Sequence, residues 1–469
     1  MVTHCRTHMD ESTLGIVAAV DDRSPQGIAA AISRLVSSDR LVAGTRLPTV
    51  RELARALGTS PGTVSGAWQA LAGLGVIESR GRLGTFVRAH PRGSHRYAQI
   101  RASAPSGGAA GARVPGFRLD LSTGTPDPLL LPGLGPALAR VGGSAHTTSY
   151  QDDPVHPALA AHLAATWPFA AEAVTIVDGA LDALDRVAAQ VVRFGDRVLV
   201  ENPTFPGLLD ILEHRGAVVV PLETDGSGVV PDAVAAALGS LDSGPVALFL
   251  QPRAQNPTGA SMTAARARAL ARVLRGRDVV VVEDDHSGDI AQAADVSVGR
   301  HLPAACVHIR SYSKSHGPDL RVAAVGGPSR LVDPLVARRQ LGPGWTSRLL
   351  QGVLVDLLGD PAATAVVGAA RDAYAARRDA LRAALAARDV ASSPGDGVNL
   401  WVSVADERAA LVTLAAAGIR VSPGAPFVLA PLGSDHVRVT TALLRDGVEE
   451  VADHLAAAAT SPYGPNPPR

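Results

Sequence analysis

Apolar residues recur at two different periods along this chain. Near the N-terminus, Ile28, Ile32, Leu35 and Val36 fall at helical spacing, and so do Val50, Leu53, Ala54 and Leu57. Gly58 stands where the second of these helices needs a C-cap. Ser60-Pro61 then offers an N-cap with proline at the first helical position, opening a third helix through Val64, Trp68 and Leu71 that Gly75 closes. From Val76 to Val87 the pattern alternates and turns, which predicts a two-stranded hairpin with arginines at its tip. Three helices and a wing are expected over residues 22–90, after an N-terminal tail of residues 1–21.

The periodicity then stops. Residues 91–117, with His90-Pro91-Arg92-Gly93 at their head and Ala104-Pro105-Ser106-Gly107-Gly108 within, read as a flexible linker that lets two modules orient independently. Beyond it, the buried-strand runs Val198–Val200, Ala217–Val220, Val246–Leu250 and Val279–Val282 alternate with Ala- and Leu-rich helical stretches. That order predicts a doubly wound α/β domain over 118–469, with its chemistry past the carboxyl ends of the strands.

Composition narrows the partners. The 469 residues carry no net charge, yet between Asp22 and Arg96 there are 11 arginines against four acidic residues, which points the first module at a polyanion. Two cysteines, Cys5 and Cys306, lack metal-ligand spacing, so neither a metal site nor a disulfide framework is expected. The N-terminus lacks a basic start followed by an apolar run, and no stretch approaches the roughly 20 apolar residues of a bilayer span. A cytoplasmic location with no membrane partner is expected.

The combined Lys and Arg count of 44 contains a single lysine, Lys314. Arginine replaces lysine at most surface positions, but a guanidinium cannot act as an amine nucleophile. Lys314 lies in Ser311-Tyr312-Ser313-Lys314, just after a strand. Three further polar strings follow strands: Glu201-Asn202-Pro203-Thr204-Phe205, Gln251 to Gly259, and Glu283-Asp284-Asp285-His286. One ligand can touch all four.

Two resemblances give these patterns content. Arg46-Leu47-Pro48-Thr49-Val50-Arg51-Glu52-Leu53-Ala54, Thr63-Val64 and Gly84-Thr85-Phe86-Val87 resemble the winged helix-turn-helix of GntR-type transcription regulators over about residues 25–90. The resemblance implies that Arg46, Thr49, Arg51, Ser60 and Thr63 lie against double-stranded DNA, with Arg80 or Arg82 of the wing reaching a groove. Pro61-Gly62 departs from the family's basic residue and asparagine, which thins direct base reading.

Residues 118–460 resemble the fold-type I aminotransferases, and with the winged helix in front the chain looks like the MocR subgroup of GntR regulators. The implied fold is multidomain: an α+β winged helix followed by an α/β aminotransferase-like domain that binds pyridoxal 5'-phosphate. By that resemblance Lys314 forms the internal aldimine, Asp284 holds the pyridinium proton and Asn256 bonds the ring oxygen. Phe205 stacks on the ring. Gly179, Ala180 and Leu181 meet the phosphate at a helix N-terminus with Ser311, Ser313 and Arg321, and Tyr150 reaches a partner subunit's phosphate. Arg438 clamps a carboxylate. His286 stands where relatives carry tyrosine, Asn399 where several regulators have histidine, and the Tyr150 string lacks the usual following glycine. The implied function is a homodimeric transcription regulator that senses an amino compound, or pyridoxal phosphate itself, through aldimine exchange at Lys314. The alternative is a working aminotransferase with an appended DNA-binding domain.

Overall fold

In the computed structural model, which describes residues 11–37, 40–73, 76–88, 96–97, 100, 117–144, 149–240 and 244–461, the N-terminal module starts earlier than its hydrophobic pattern predicts. Glu11–Ala19 is a helix (α1), not tail, because Ile16 is wholly buried in the module's core. Helix α2 runs Pro25–Ser37, α3 Val50–Leu57 and α4 Pro61–Gly73. Their inward residues, among them Ile28, Ile32, Leu53, Leu57, Val64 and Leu71, form one apolar cluster.

Local chemistry sets the ends of α3. Thr49 and Glu52 make a reciprocal capping box, with Thr49 Oγ1 accepting from the Glu52 amide at 3.3 Å and Glu52 Oε2 from the Thr49 amide at 2.8 Å. Gly58 ends the helix at φ 65°, a left-handed conformation that costs glycine little. The wing has three strands, not two: β1 (Arg46–Leu47) pairs antiparallel with β3 (Thr85–Val87), which pairs with β2 (Ile77–Ser79). A two-residue strand is too short to show any period in sequence. Gly75 lies outside the described residues.

The body has two lobes. Strand β4 (Leu119–Leu121) opens it and belongs to the smaller one. The larger lobe is built on an eight-stranded sheet in the order β5-β12-β11-β10-β9-β6-β7-β8. Its members are β5 (Ala173–Val177), β6 (Arg197–Asn202), β7 (Val218–Asp225), β8 (Gly228–Val229), β9 (Ala247–Leu250), β10 (Val280–Asp285), β11 (Cys306–Ser311) and β12 (Ala323–Gly327). Strands β7, β6, β9, β10 and β11 run parallel, and β12 is antiparallel to both β11 and β5, so β5 shares the common direction. The carboxyl ends of β5, β6, β9, β10 and β11 therefore open on one edge.

The smaller lobe carries β13 (Asn399–Val404), β14 (Ile419–Pro423) and β15 (Asp435–Thr440) in the order β13-β15-β14-β4. Register places Arg438 of β15 between Trp401 and Ser422, and pairs Leu119 with Ile419 some three hundred positions away. Helix Glu407–Ala416 covers this sheet with Ala410 and Leu414, and turns Val412 and Ala415 outward into the apolar cluster of the winged helix. Arg408 adds a hydrogen bond to the Ser33 carbonyl at 3.2 Å. The two modules thus share a core, where the linker composition predicts independent orientation. Among the described residues no single helix is long and apolar enough to cross a membrane.

Candidate functional site

Lys314 sits three residues past β11, half-buried, with Nζ 2.7 Å from His286 Nδ1 and 3.5 Å from the His286 carbonyl. Burial lowers the amine pKa to about 8, against an upward pull from Asp284 and with a further downward push from Arg438. Burial, and then Lys314, hold the His286 imidazole well below its usual range, so it is neutral at pH 7. With Nδ1 facing the amine as acceptor, the ring proton is assigned to Nε2, and that atom is buried without a partner.

Asp284, at the end of β10, is the second element. Its Oδ2 accepts from Gln251 Nε2 at 2.7 Å, while Oδ1 is buried and unpartnered. Burial raises its pKa to about 6. Gln251 is itself held, its amide donating to Glu201 Oε2 at 3.1 Å and its Oε1 accepting from the Asn256 amide at 2.8 Å. Behind it Glu201, at the end of β6, is pushed to about 8 by burial and so carries a proton at neutral pH. Three strand ends are joined through one glutamine.

Phe205 begins helix Pro206–His214, and its ring lies where a Cβ on Gly207 would stand 2.7 Å away, so residue 207 must be glycine for the ring to keep this place. Gly179 precedes helix Ala180–Val191 at φ 103°, and the Arg321 guanidinium stands 2.6 Å from where its Cβ would be. Arg321 donates to the Asp178 carbonyl at 2.7 Å. Ser311 Oγ accepts from the Ser313 amide at 3.3 Å. That helix start, two serines and a guanidinium are groups that can cup an anion.

Arg438 closes the other side. It is buried, with Nη1 3.2 Å from Asn256 Oδ1 and Nη2 2.5 Å from the Ser122 carbonyl, and its guanidinium lies 5.1 Å above the Phe427 ring. Burial pulls its pKa to about 10, and Tyr97 opposes that shift. Tyr150 is not brought to this pocket: it is 89% exposed and packs on Trp345 at 6.0 Å. Asn399 is buried at the start of β13, where its Oδ1 accepts from Thr440 Oγ1 at 3.3 Å.

On the winged helix, Arg46, Thr49, Arg51 and Ser60 are exposed at or near the starts of α3 and α4, and Thr63 is half-buried beside Ser60. Ser60 Oγ accepts from the Thr63 amide at 3.1 Å, so the hydroxyl predicted to meet DNA also caps α4. Arg80 is tied to Glu78 at 2.5 Å and lies over Phe86 at 4.9 Å. The Arg82 side chain lies outside the described residues.

Four residues here went unassigned in sequence. Gln251 heads the string that holds Asn256, Glu201 heads the one that holds Phe205, and Gly124 follows β4 with its Cβ position 3.2 Å from the Arg438 guanidinium. Tyr97 lies in the stretch read as linker, and only its being one of five tyrosines sets it apart.

A winged helix seated on a two-lobed body, whose lysine, carboxylate and anion cup converge at the strand ends, defines a DNA-binding regulator with an aminotransferase-type core. Residues 118–455 match the aminotransferase class I and II family, and residues 25–87 match the gntR family of bacterial regulatory proteins. The chain belongs to the MocR-type GntR transcription regulators, built on an aminotransferase class I and II domain. It is 36% identical over 436 residues to the vitamin B6 salvage pathway transcriptional repressor PtsJ of Salmonella typhimurium, a match covering 91% of this chain and 96% of that one. It is 28% identical over 350 residues to the probable rhizopine catabolism regulatory protein MocR of Rhizobium meliloti, covering 69% of each. Among solved structures it resembles the α-aminoadipate aminotransferase LysN of Thermus thermophilus, complexed with N-(5'-phosphopyridoxyl)-L-leucine, with TM-score 0.65 and 25% identity over 76% of this chain and 96% of that one. The cofactor of this class is pyridoxal phosphate, and the gntR module binds DNA.

Proposed function

We propose that the body reads a pyridoxal vitamer or an amino compound at Lys314 and passes the result to the winged helix. One observation carries this reading. The only lysine of the chain has a lowered pKa beside a neutral imidazole and a carboxylate with one oxygen unpartnered, in a body that shares its apolar core with the DNA-binding module. When bound, pyridoxal phosphate supplies an aldehyde that joins amines reversibly and a ring that withdraws electrons.

The residues present fit that group. Lys314 Nζ holds it covalently, and Asp284 Oδ1 is an open acceptor for the ring N–H. His286 Nε2–H is an open donor for the ring hydroxyl, so histidine takes the place of the usual tyrosine, beside Asn256. Phe205 covers the ring. Gly179, Ala180, Leu181, Ser311, Ser313 and Arg321 receive the phosphate, and Arg438 receives the carboxylate of an amino-acid effector. Tyr150, turned away from its own pocket, is available to a partner subunit's phosphate across a two-fold homodimer, which would read a two-part operator in the cytoplasm. The likeness to PtsJ supports repression answering to vitamin B6.

The test uses DNA duplexes selected from a random pool on the wild-type protein. Pyridoxal phosphate is expected to give absorbance near roughly 400 nm, and to change DNA affinity about tenfold or more, in wild type and not in Lys314→Ala. Equal spectra and equal DNA binding in the two proteins would overturn the reading. The 3.2 Å contact of Arg438 with Asn256 favours one other reading, a working aminotransferase, which steady turnover of an amino donor with a keto acid would establish.

A further inference from the structure

Arg96 and Tyr97 fall in the stretch whose composition predicts a free linker, yet the body holds both. Asp210 accepts their two backbone amides, at 2.7 and 2.8 Å. The Arg96 guanidinium pairs with Glu213 at 3.0 Å on the same large-lobe helix, and reaches the Val428 carbonyl of the small lobe at 3.4 Å. Neighbouring bonds close the same seam, with the Thr204 amide on the Phe427 carbonyl at 2.9 Å and the Leu429 amide on Asn202 Oδ1 at 2.9 Å. Tyr97, half-buried, stands edge-on to Phe205 with ring centroids 5.2 Å apart and planes at 70°. It is also within electrostatic reach of Arg438. One side chain of the interdomain segment thus borders the aromatic cover of the cofactor site and acts electrostatically on the guanidinium that takes a carboxylate.

We propose that Tyr97 is a wall of the effector pocket, supplied by the segment that leads to the winged helix, and that it selects amino acids with an apolar side chain. The inference rests on the functional reading above and adds the chemical class of the effector and the route of its signal. A ligand whose carboxylate lies on Arg438 and whose nitrogen lies toward Lys314 has its side chain left to meet Tyr97 beside the Phe205 cover, and an aromatic ring favours an aliphatic or aromatic group there. The backbone grip of Asp210 holds the Tyr97 ring in place before the ligand arrives. The route is short. Tyr97 lies ten residues beyond Val87, the last residue of the wing, so its tether spans at most roughly 35 Å. A ligand that adds contact to Tyr97 strengthens the hold on this segment, and a strengthened hold favours the ligand by the same factor.

The experiment uses the full chain loaded with pyridoxal phosphate. L-leucine and L-alanine are titrated by absorbance, and hydrogen exchange is followed in the peptide containing residues 96 and 97. Wild type is expected to prefer L-leucine, and to show about tenfold slower exchange at that peptide when L-leucine is bound. Tyr97→Phe keeps the ring and should keep both properties. Tyr97→Ala should lose about tenfold of the leucine preference, hold L-alanine within about twofold, and lose the protection. If the wild-type spectrum answers to pyridoxal phosphate and L-leucine but Tyr97→Ala matches wild type in preference and exchange, this inference alone fails. If wild type takes up no pyridoxal phosphate at all, the functional reading fails and takes the inference with it.

Discussion

Lys314 Nζ lies 2.7 Å from His286 Nδ1, so the only lysine amine of the chain faces a buried imidazole that stays neutral at pH 7. Burial lowers the proton affinity of both, and the Lys314 charge lowers that of the imidazole further, because a second positive charge beside the first would be repelled. The imidazole accepts a hydrogen bond from the amine at Nδ1 and keeps its Nε2–H open to donate to a ligand. A phenol would serve both partners through one oxygen, whereas the imidazole separates acceptor and donor across its ring.

This pairing sets a pH dependence. A lysine whose pKa is lowered to about 8 exposes its nucleophilic form above that pH. The initial rate of pyridoxal phosphate attachment, followed by absorbance at low concentration, should rise about tenfold per pH unit below 8 and level off above it. His286→Leu removes an acceptor that favours the ammonium and keeps the burial that lowers the amine, so the break should stay at or below about 8. A rate still rising tenfold per unit at pH 10 in wild type would show that the amine is not lowered.

Asp284 and Gln251 make a second prediction. Asp284→Asn replaces the open acceptor by an amide and should weaken pyridoxal phosphate binding by about ten- to hundredfold, the range for a buried hydrogen bond to a charged group. Gln251→Leu leaves Asp284 in place but removes the 2.7 Å bond to Oδ2 and the support from Glu201. It should cost about tenfold in the same titration, with Lys314 still reducible by borohydride. Unchanged affinity in Gln251→Leu would show that the carboxylate is positioned by β10 alone.

The reactive groups were legible in sequence because strand ends in a parallel sheet converge, and their residue types are tied to chemistry. Lys314, Asp284, Asn256 and Phe205 each stood in a polar string just past an apolar run. What supports them was not legible. Gln251 reaches Asp284 across 33 positions and Glu201 across 50, and glutamine and glutamate at strand ends have no chemistry that singles them out. Strands β4 and β14 pair across three hundred residues with only three registered pairs, too few to leave a period. Composition also misled at Tyr97, where one large side chain in a stretch of small and polar residues makes the contact that places it, and at α1, whose Ile16, Val17 and Ala19 meet a core that the local sequence does not show.

Thr49 has two jobs that substitution separates. Its hydroxyl caps α3 and its exposed position faces the predicted DNA side. Thr49→Ala should lower the stability of the winged helix by about 1 kcal/mol in thermal or denaturant unfolding. Thr49→Asp keeps a capping oxygen and favours the positive end of the helix, so stability should hold while a carboxylate beside phosphates lowers DNA affinity by about tenfold. DNA binding by Thr49→Asp equal to wild type would place this residue away from the phosphates.

The seam between modules carries the last prediction. Val412 is 1% exposed and faces the winged-helix core, whereas Ala410 and Leu414 of the same helix face the small-lobe sheet. A carboxylate at position 412 would be buried among apolar side chains, with Arg408 one turn earlier already bonded to the Ser33 carbonyl, so Val412→Asp should loosen the winged helix from the body while leaving both folded. Pyridoxal phosphate uptake should match wild type, and DNA should still bind through the arginines of α3 and the wing. The change in DNA affinity on adding pyridoxal phosphate alone, with no amino-acid effector to bear on Tyr97, should shrink from about tenfold to within about twofold, because the shared core is then the contact left to carry the coupling. If Val412→Asp keeps the full response, the signal passes by the Arg96–Tyr97 segment instead, and substituting both sites together should then abolish it.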